Sequence, residues 1–132
     1  MKANHFLIIL FAAATLVLSS CDPHKPPSMT FKTGGNYTSA DATVAQGASI
    51  LVGITADKKE DDMKTYNISY AYDGATTTTT KETFTLTGTE LQHYEKDYTF
   101  TTRNQAGTEV WSFVITDKDG NIAKLSFKLT VQ

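Results

Sequence analysis

Val110-Trp111-Ser112-Phe113-Val114-Ile115-Thr116-Asp117-Lys118-Asp119-Gly120-Asn121-Ile122-Ala123-Lys124-Leu125-Ser126-Phe127-Lys128-Leu129-Thr130-Val131 is the stretch from which the fold can be read. Trp111, Phe113 and Ile115 alternate with Val110, Ser112, Val114 and Thr116. Successive side chains of a strand point to opposite faces, so this is period-two sequence. Both faces are largely apolar, which predicts a central strand. Ala123, Leu125, Phe127, Leu129 and Val131 then share one face, with Lys124, Ser126, Lys128 and Thr130 on the other. That is a strand with one dry and one wet side. Asp117 to Asn121 supplies the turn between them, because Asp-Gly tolerates the positive φ that tight hairpins need.

The same rhythm extends upstream. Met29 and Phe31 alternate with polar neighbours until Gly34-Gly35 breaks the run. Gln46-Gly47 marks another turn, followed by a strand from Ser49 to Thr55 with Ile50, Val52 and Ile54 on one face. Lys58 to Asp62 (KKEDD) reads as a solvated loop. Tyr66, Ile68, Tyr70 and Tyr72 form the next face, stopped by Asp73-Gly74. Thr76 to Thr87 follows, with Phe84 and Leu86 in phase. Gly88 to Tyr94 reads as a single helical turn, and Tyr98, Phe100 and Thr102 as a short strand. About seven strands, with turn signals every ~8–12 residues, predict an all-β antiparallel sandwich. A small up-and-down barrel is the alternative architecture. The long connections at 58–63 and 88–97 suit Greek-key crossings better. No long helical pattern separates the strands, which excludes a parallel α/β fold.

The amino terminus has a different character. Lys2 precedes a run from Phe6 to Leu18 in which Thr15 is the only polar side chain. Ser19-Ser20 then leads to Cys21, the one cysteine of the chain. This is the layout of a secretory signal peptide, and thirteen residues fall short of the ~20 that a spanning helix needs. With no second cysteine, an internal disulfide cannot form. Leu18-Ser19-Ser20-Cys21 resembles the bacterial lipobox. The resemblance implies that residues 1–20 are removed and that Cys21 carries a diacylglycerol thioether and an acylated amino group, with palmitate-type chains. Two or more such chains anchor a protein stably, at ~0.8 kcal/mol per buried methylene. Asp22 to Ser28 holds all three prolines and reads as an extended spacer. The expected organisation is signal peptide 1–20, lipidated cysteine and spacer 21–28, and β-domain 29–132.

The closing hairpin, Val110 to Phe127, is similar to the last hairpin of bacterial immunoglobulin-like, cadherin-like and fibronectin-III-like repeats. Val44-Ala45-Gln46-Gly47 before the Ile50 strand is similar to theirs as well. The resemblance implies a single immunoglobulin-like β-sandwich with an extracellular role. It brings no catalytic residues, and the cysteine pair of antibody domains is missing. Together the two resemblances imply a lipid-anchored envelope protein, at the outer membrane or cell surface rather than the inner membrane. Asp22 after the cysteine fits neither the retention nor the export pattern in full.

Beyond Cys21 the chain carries fourteen acidic and eleven basic residues, a net charge of −3. Nucleic-acid binding would favour a basic face, so no such partner is expected. The expected partners are the membrane, through the lipid, and a surface glycan or envelope protein. Tyr66, Tyr70, Tyr72 and Trp111 are candidates for a sugar-stacking platform, since ring faces meet the C–H side of a pyranose. Ile68 shares their face, so core packing is the competing reading. Asp117, Asp119 and Asn121 present oxygens at alternate positions around a glycine, the pattern calcium uses. An EF-hand would need a distal Glu where Lys128 stands, and a plain turn explains the same residues. Asp41 or Asp73 could complete such a site. No other cofactor is expected. His93 is the domain's lone histidine, and zinc or a nucleophile–base pair needs converging partners. Glu60, Asp61 and Asp62 read as a solvated face, not as the paired acids of a cleft. The chain is therefore expected not to be an enzyme, unless Glu90, His93 and Glu95 meet in a deep pocket.

Overall fold

In the computed structural model, which describes residues 24–132, eight strands follow one another. They are β1 (Ser28–Phe31), β2 (Ala42–Val44), β3 (Ser49–Asp57), β4 (Met63–Tyr72), β5 (Thr79–Thr85), β6 (His93–Thr101), β7 (Gly107–Asp117) and β8 (Ile122–Val131). A 3-10 turn, Gly88–Leu91, precedes β6. Residues 1–23, which hold the expected signal peptide, Cys21, Asp22 and Pro23, lie outside the described residues.

Two sheets form, in the orders β1-β3-β6 and β2-β8-β7-β4-β5. The chain crosses between the sheets from β1 through β4 and again from β5 to β7, while β4–β5 and β7–β8 are hairpins within the larger sheet, a Greek-key arrangement of the kind found in immunoglobulin-like sandwiches. β7 and β8 pair antiparallel from Thr116 opposite Ile122 to Gly107 opposite Val131. β7 occupies the middle of the five-stranded sheet, which accounts for the apolar character of both its faces. Between the sheets Ile50, Val52, Ile54 and Phe100 meet Tyr66, Ile68, Trp111, Phe113, Ile115 and Leu129. Phe100 stacks on Trp111 with centroids 3.6 Å apart, and Phe31 meets Phe113 edge-on at 5.6 Å. Burial of these side chains contributes roughly 1.5–3 kcal/mol each and closes the sandwich.

Three features depart from the sequence reading. The strands number eight, because β2 adds a short strand that pairs in parallel with β8, Ala42 opposite Leu129. The larger sheet is therefore mixed. β6 begins at His93 and not near Tyr98. Finally, the part of the spacer that is described does not stand clear of the domain. Pro27 is buried, and the Lys25 amide donates to Glu60 Oε2 at 3.1 Å.

Candidate functional site

The sheet registers gather the connections at two ends. Asp57 lies opposite both Ser28 and His93, and Met63 opposite Asp117. Residues 24–27, the β3–β4 loop, the 3-10 turn and the β7–β8 turn thus share one end. Ser49 lies opposite Thr101, and Tyr72 opposite Glu109. The β2–β3, β4–β5 and β6–β7 connections share the other, far end.

At the first end Asp117 organises the hairpin. Its Oδ1 accepts the Asp119 amide at 3.0 Å and the Asn121 amide at 2.8 Å, and its Oδ2 accepts Asn121 Nδ2–H at 2.9 Å. Burial pushes the Asp117 carboxyl up, but the donors of Asn121, Asp119 and Gly120 outweigh it and hold it below the usual range. Asn121 donates here through Nδ2, an arrangement that fits the turn reading of Asp117, Asp119 and Asn121. Asp41 accepts the Lys128 amide at 2.7 Å and Asp73 binds Arg103.

Beside this turn a second group assembles. His24 Nδ1 lies 3.3 Å from Asp61 Oδ2, 3.7 Å from Glu60 Oε2 and 3.8 Å from Asp119 Oδ2. Lys118 Nζ is 3.4 Å from Asp61 Oδ1. Asp62 is bound separately, by Lys58 Nζ and by Gln92 Nε2, each at 2.8 Å. Hydrogen bonding from Lys58 holds its carboxyl below the usual range. The acidic run is thus divided. Asp62 closes the loop onto the 3-10 turn, whereas Glu60 and Asp61 face residues 24–27.

At the far end a buried polar network joins three segments. Glu109, fully buried, accepts Trp111 Nε1–H at 2.9 Å and the Arg103 amide at 2.9 Å. Arg103 Nε lies 3.4 Å from the same carboxylate. The guanidinium also donates to both oxygens of Asp73, at 2.8 and 3.0 Å, and lies over the Tyr72 ring at 4.0 Å. Asp73 Oδ1 accepts the Thr108 amide at 2.9 Å. Gly107, at φ +151°, leaves room for this arrangement, since a Cβ there would collide with Asp73 Oδ1 and Arg103 Nη2. None of this was read from the sequence. One signal was available: Glu109 is in phase with Trp111, Phe113 and Ile115, and so was bound to point inward.

The tyrosine row divides. Tyr66 and Trp111 are core residues, 1% and 2% exposed, and offer no open ring face to a sugar. Tyr70 and Tyr72 are half-buried, tilted against each other at 4.6 Å, and close the far end of the core. On the outer face of the smaller sheet His93 bridges Asp57 at 2.6 Å and Glu95 at 3.3 Å. Both residues raise its pKa, Asp57 more strongly. Lys32 Nζ reaches Glu95 at 3.1 Å and Asp97 at 3.0 Å, and Tyr37 donates to Asp97 at 2.9 Å. His93 and Glu95 lie on an open face, and Glu90 is engaged elsewhere, accepting the Thr87 amide at 3.0 Å. Two shallow hollows of about 320 and 310 Å³ flank β2 and touch none of these clusters.

No family model and no curated protein matches this chain. Similar strand arrangements occur among solved structures. A Niemann-Pick type C2 protein from Japanese carpenter ant superposes with a TM-score of 0.45 at 10% identity, over 68% of this chain and 79% of that one. Murine CRIg gives 0.44 at 8%, over 82% and 99%. A beta-glucosidase from Listeria innocua, in complex with glucose, gives 0.40 at 12%, over 79% and 16%. At these scores and identities no residue role passes from any of them to this chain.

Proposed function

We propose that this is a lipid-anchored bacterial envelope protein whose immunoglobulin-like domain binds a surface glycan or another envelope protein without catalysis. The observation that carries the reading is the short distance, along the chain, from Cys21 to the folded domain. His24 already lies against the β3–β4 loop and the β7–β8 turn. Three residues extend at most ~11 Å. A lipid on Cys21 would therefore hold that end close to the membrane and turn the far end away from it. On a rigid scaffold, loops carry recognition, and the far-end loops at 73–78 and 102–106 are fixed by the Arg103–Asp73 pair. Threonines 76–80 at the tip are exposed and offer hydroxyl donors and acceptors.

A second reading, an accessory subunit of a larger envelope complex, draws on β5. This strand lies at the edge of the five-stranded sheet and is exposed from Thr79 to Thr83. An unpaired edge is a template for another strand.

The anchor is tested by feeding producing cells an alkynyl palmitate. Labelling of the wild type and its loss in Cys21→Ser support the proposal, and unlabelled wild type refutes it. A membrane-impermeant lysine reagent applied to intact cells then reports whether the domain faces outward. Photo-crosslinking from position 77 distinguishes the two readings of binding from crosslinking at position 81 on the β5 edge. A single stoichiometric protein captured only from position 81 favours the accessory subunit.

A further inference from the structure

We propose that His24, Asp61 and Asp119 form a site for a divalent transition metal of the zinc class, with the fourth position left to water. The ion would fasten residues 24–27 to the β3–β4 loop and the β7–β8 turn. The geometry is the first argument. Donor atoms of His24, Asp61 and Asp119 all lie within 4.8 Å of one another. Four donors bound at ~2.0–2.2 Å around a tetrahedral ion sit roughly 3.4 Å apart. The separations from His24 Nδ1, 3.3 Å to Asp61 and 3.8 Å to Asp119, are close to that value.

The second argument is an unsatisfied oxygen. Asp61 Oδ2 is buried and has no hydrogen-bond partner among the described residues, although His24 Nδ1 is 3.3 Å away. Lys118 reaches only the other oxygen of that carboxylate. Leaving a buried acceptor unmade is costly, and a cation between Asp61 and His24 would satisfy it. A protonated imidazole does not serve equally well. Nδ1 carries one proton, and three carboxylates converge on it.

The donor set selects the metal. Calcium takes six to eight oxygen ligands, whereas imidazole with carboxylates suits zinc and its neighbours in the first transition row. The site is distinct from the calcium pattern in the 117–121 turn. It uses Asp119 and leaves Asp117 and Asn121 bound to each other. Its donors come from three separate segments, residue 24, the β3–β4 loop and the β7–β8 turn.

The test is titration of the full chain in detergent with Zn²⁺ alone, followed by calorimetry, with Co²⁺ as a spectroscopic probe. One ion per chain is expected, with the visible bands of four-coordinate cobalt. His24→Ala and Asp61→Asn should each weaken binding by at least the roughly 10-fold that losing an outer-shell partner costs. Asp41→Asn, remote from the site, should leave it unchanged. His24 is 60% exposed, so its replacement leaves the fold intact. Should Asp61→Asn fail to fold, Asp119→Asn takes its place. Absence of zinc binding overturns the proposal, as does binding unaffected by His24→Ala. Calcium binding without zinc binding overturns the choice of metal class.

Discussion

β7 carries a buried carboxylate at each end, and the two are satisfied in opposite ways. Glu109 and Asp117 are in phase with Trp111, Phe113 and Ile115, so the strand turns both inward. Asp117 finds its donors within four residues, in its own turn. Glu109 finds its donors in Trp111 and in Arg103, which comes from the preceding connection and also holds Asp73 across the far end. A carboxylate satisfied locally fixes a turn and leaves its surroundings free. One satisfied from afar ties several segments together. The charges left over at the Asp117 end, Glu60, Asp61 and Asp119, are accordingly the ones that converge on His24.

Replacing the two acids by alanine tests this contrast and should give the largest effects. Glu109→Ala leaves the Trp111 indole N–H and the Arg103 amide without their acceptor and the Arg103 guanidinium held by Asp73 alone. Each buried donor left unmade costs about 1–3 kcal/mol, and two are left. Asp117→Ala releases amides that sit at a turn next to water, and a loss of about 1–2 kcal/mol follows. Urea unfolding followed by Trp111 fluorescence reads both. Equal losses would mean that Glu109 is no more connected than Asp117.

Gly107→Ala comes next. It places a Cβ at a positive φ and against Asp73 Oδ1 and Arg103 Nη2. Backbone strain of this kind costs of order 1–3 kcal/mol. The melting temperature should fall, and it should fall much less in an Asp73→Ala background, where the colliding oxygen is gone. A full loss in both backgrounds would separate the strain from the Arg103–Asp73 pair.

The hairpin of β7 and β8 was legible because its alternation is unbroken and its turn residues have one backbone preference. β6 was read short for a physical reason. Tyr94, Tyr98 and Phe100 point inward, but Lys96 occupies the in-phase position between them. Its ammonium lies 4.6 Å from the Phe84 ring centroid while the stem lies along the core. A charge at an inward position ended the pattern on paper and not in the fold. β2 was missed because three residues carry too little period to register, and its parallel partner lies 87 positions away along the chain at the Asp41–Lys128 bond. The candidate site was the least legible part. His24 stands in the proline run, which reads as an extended spacer, and only its packing against Glu60, Asp61 and Asp119 gives it a role.

Acid titration sharpens the view of the far end. Hydrogen bonds from Arg103 and then from the Thr108 amide pull the Asp73 carboxyl down from 3.8 to about 2. A depressed carboxyl stabilises the fold above its unfolded value, and that contribution is lost as pH falls from about 4 through 2. Asp73→Asn should therefore flatten the acid limb of stability in that window. An unchanged acid limb would show that Asp73 is not held by Arg103 in solution.

The smallest effect is expected on the open face of the smaller sheet, where His93 runs the opposite way with pH. Asp57 and then Glu95 raise its pKa above 6.5. A raised histidine stabilises fully below the unfolded value, and the contribution is lost as pH rises through the folded one. Both partners are about half exposed, and exposed ion pairs contribute little. His93→Gln should remove a slight decline in stability above neutral pH while leaving the acid limb untouched. The two variants thus affect separate windows: Asp73→Asn below pH 4, His93→Gln near and above neutrality. If His93→Gln altered the acid limb as well, the outer face and the far end would be coupled, and the division of the molecule into independently satisfied charge clusters would fail.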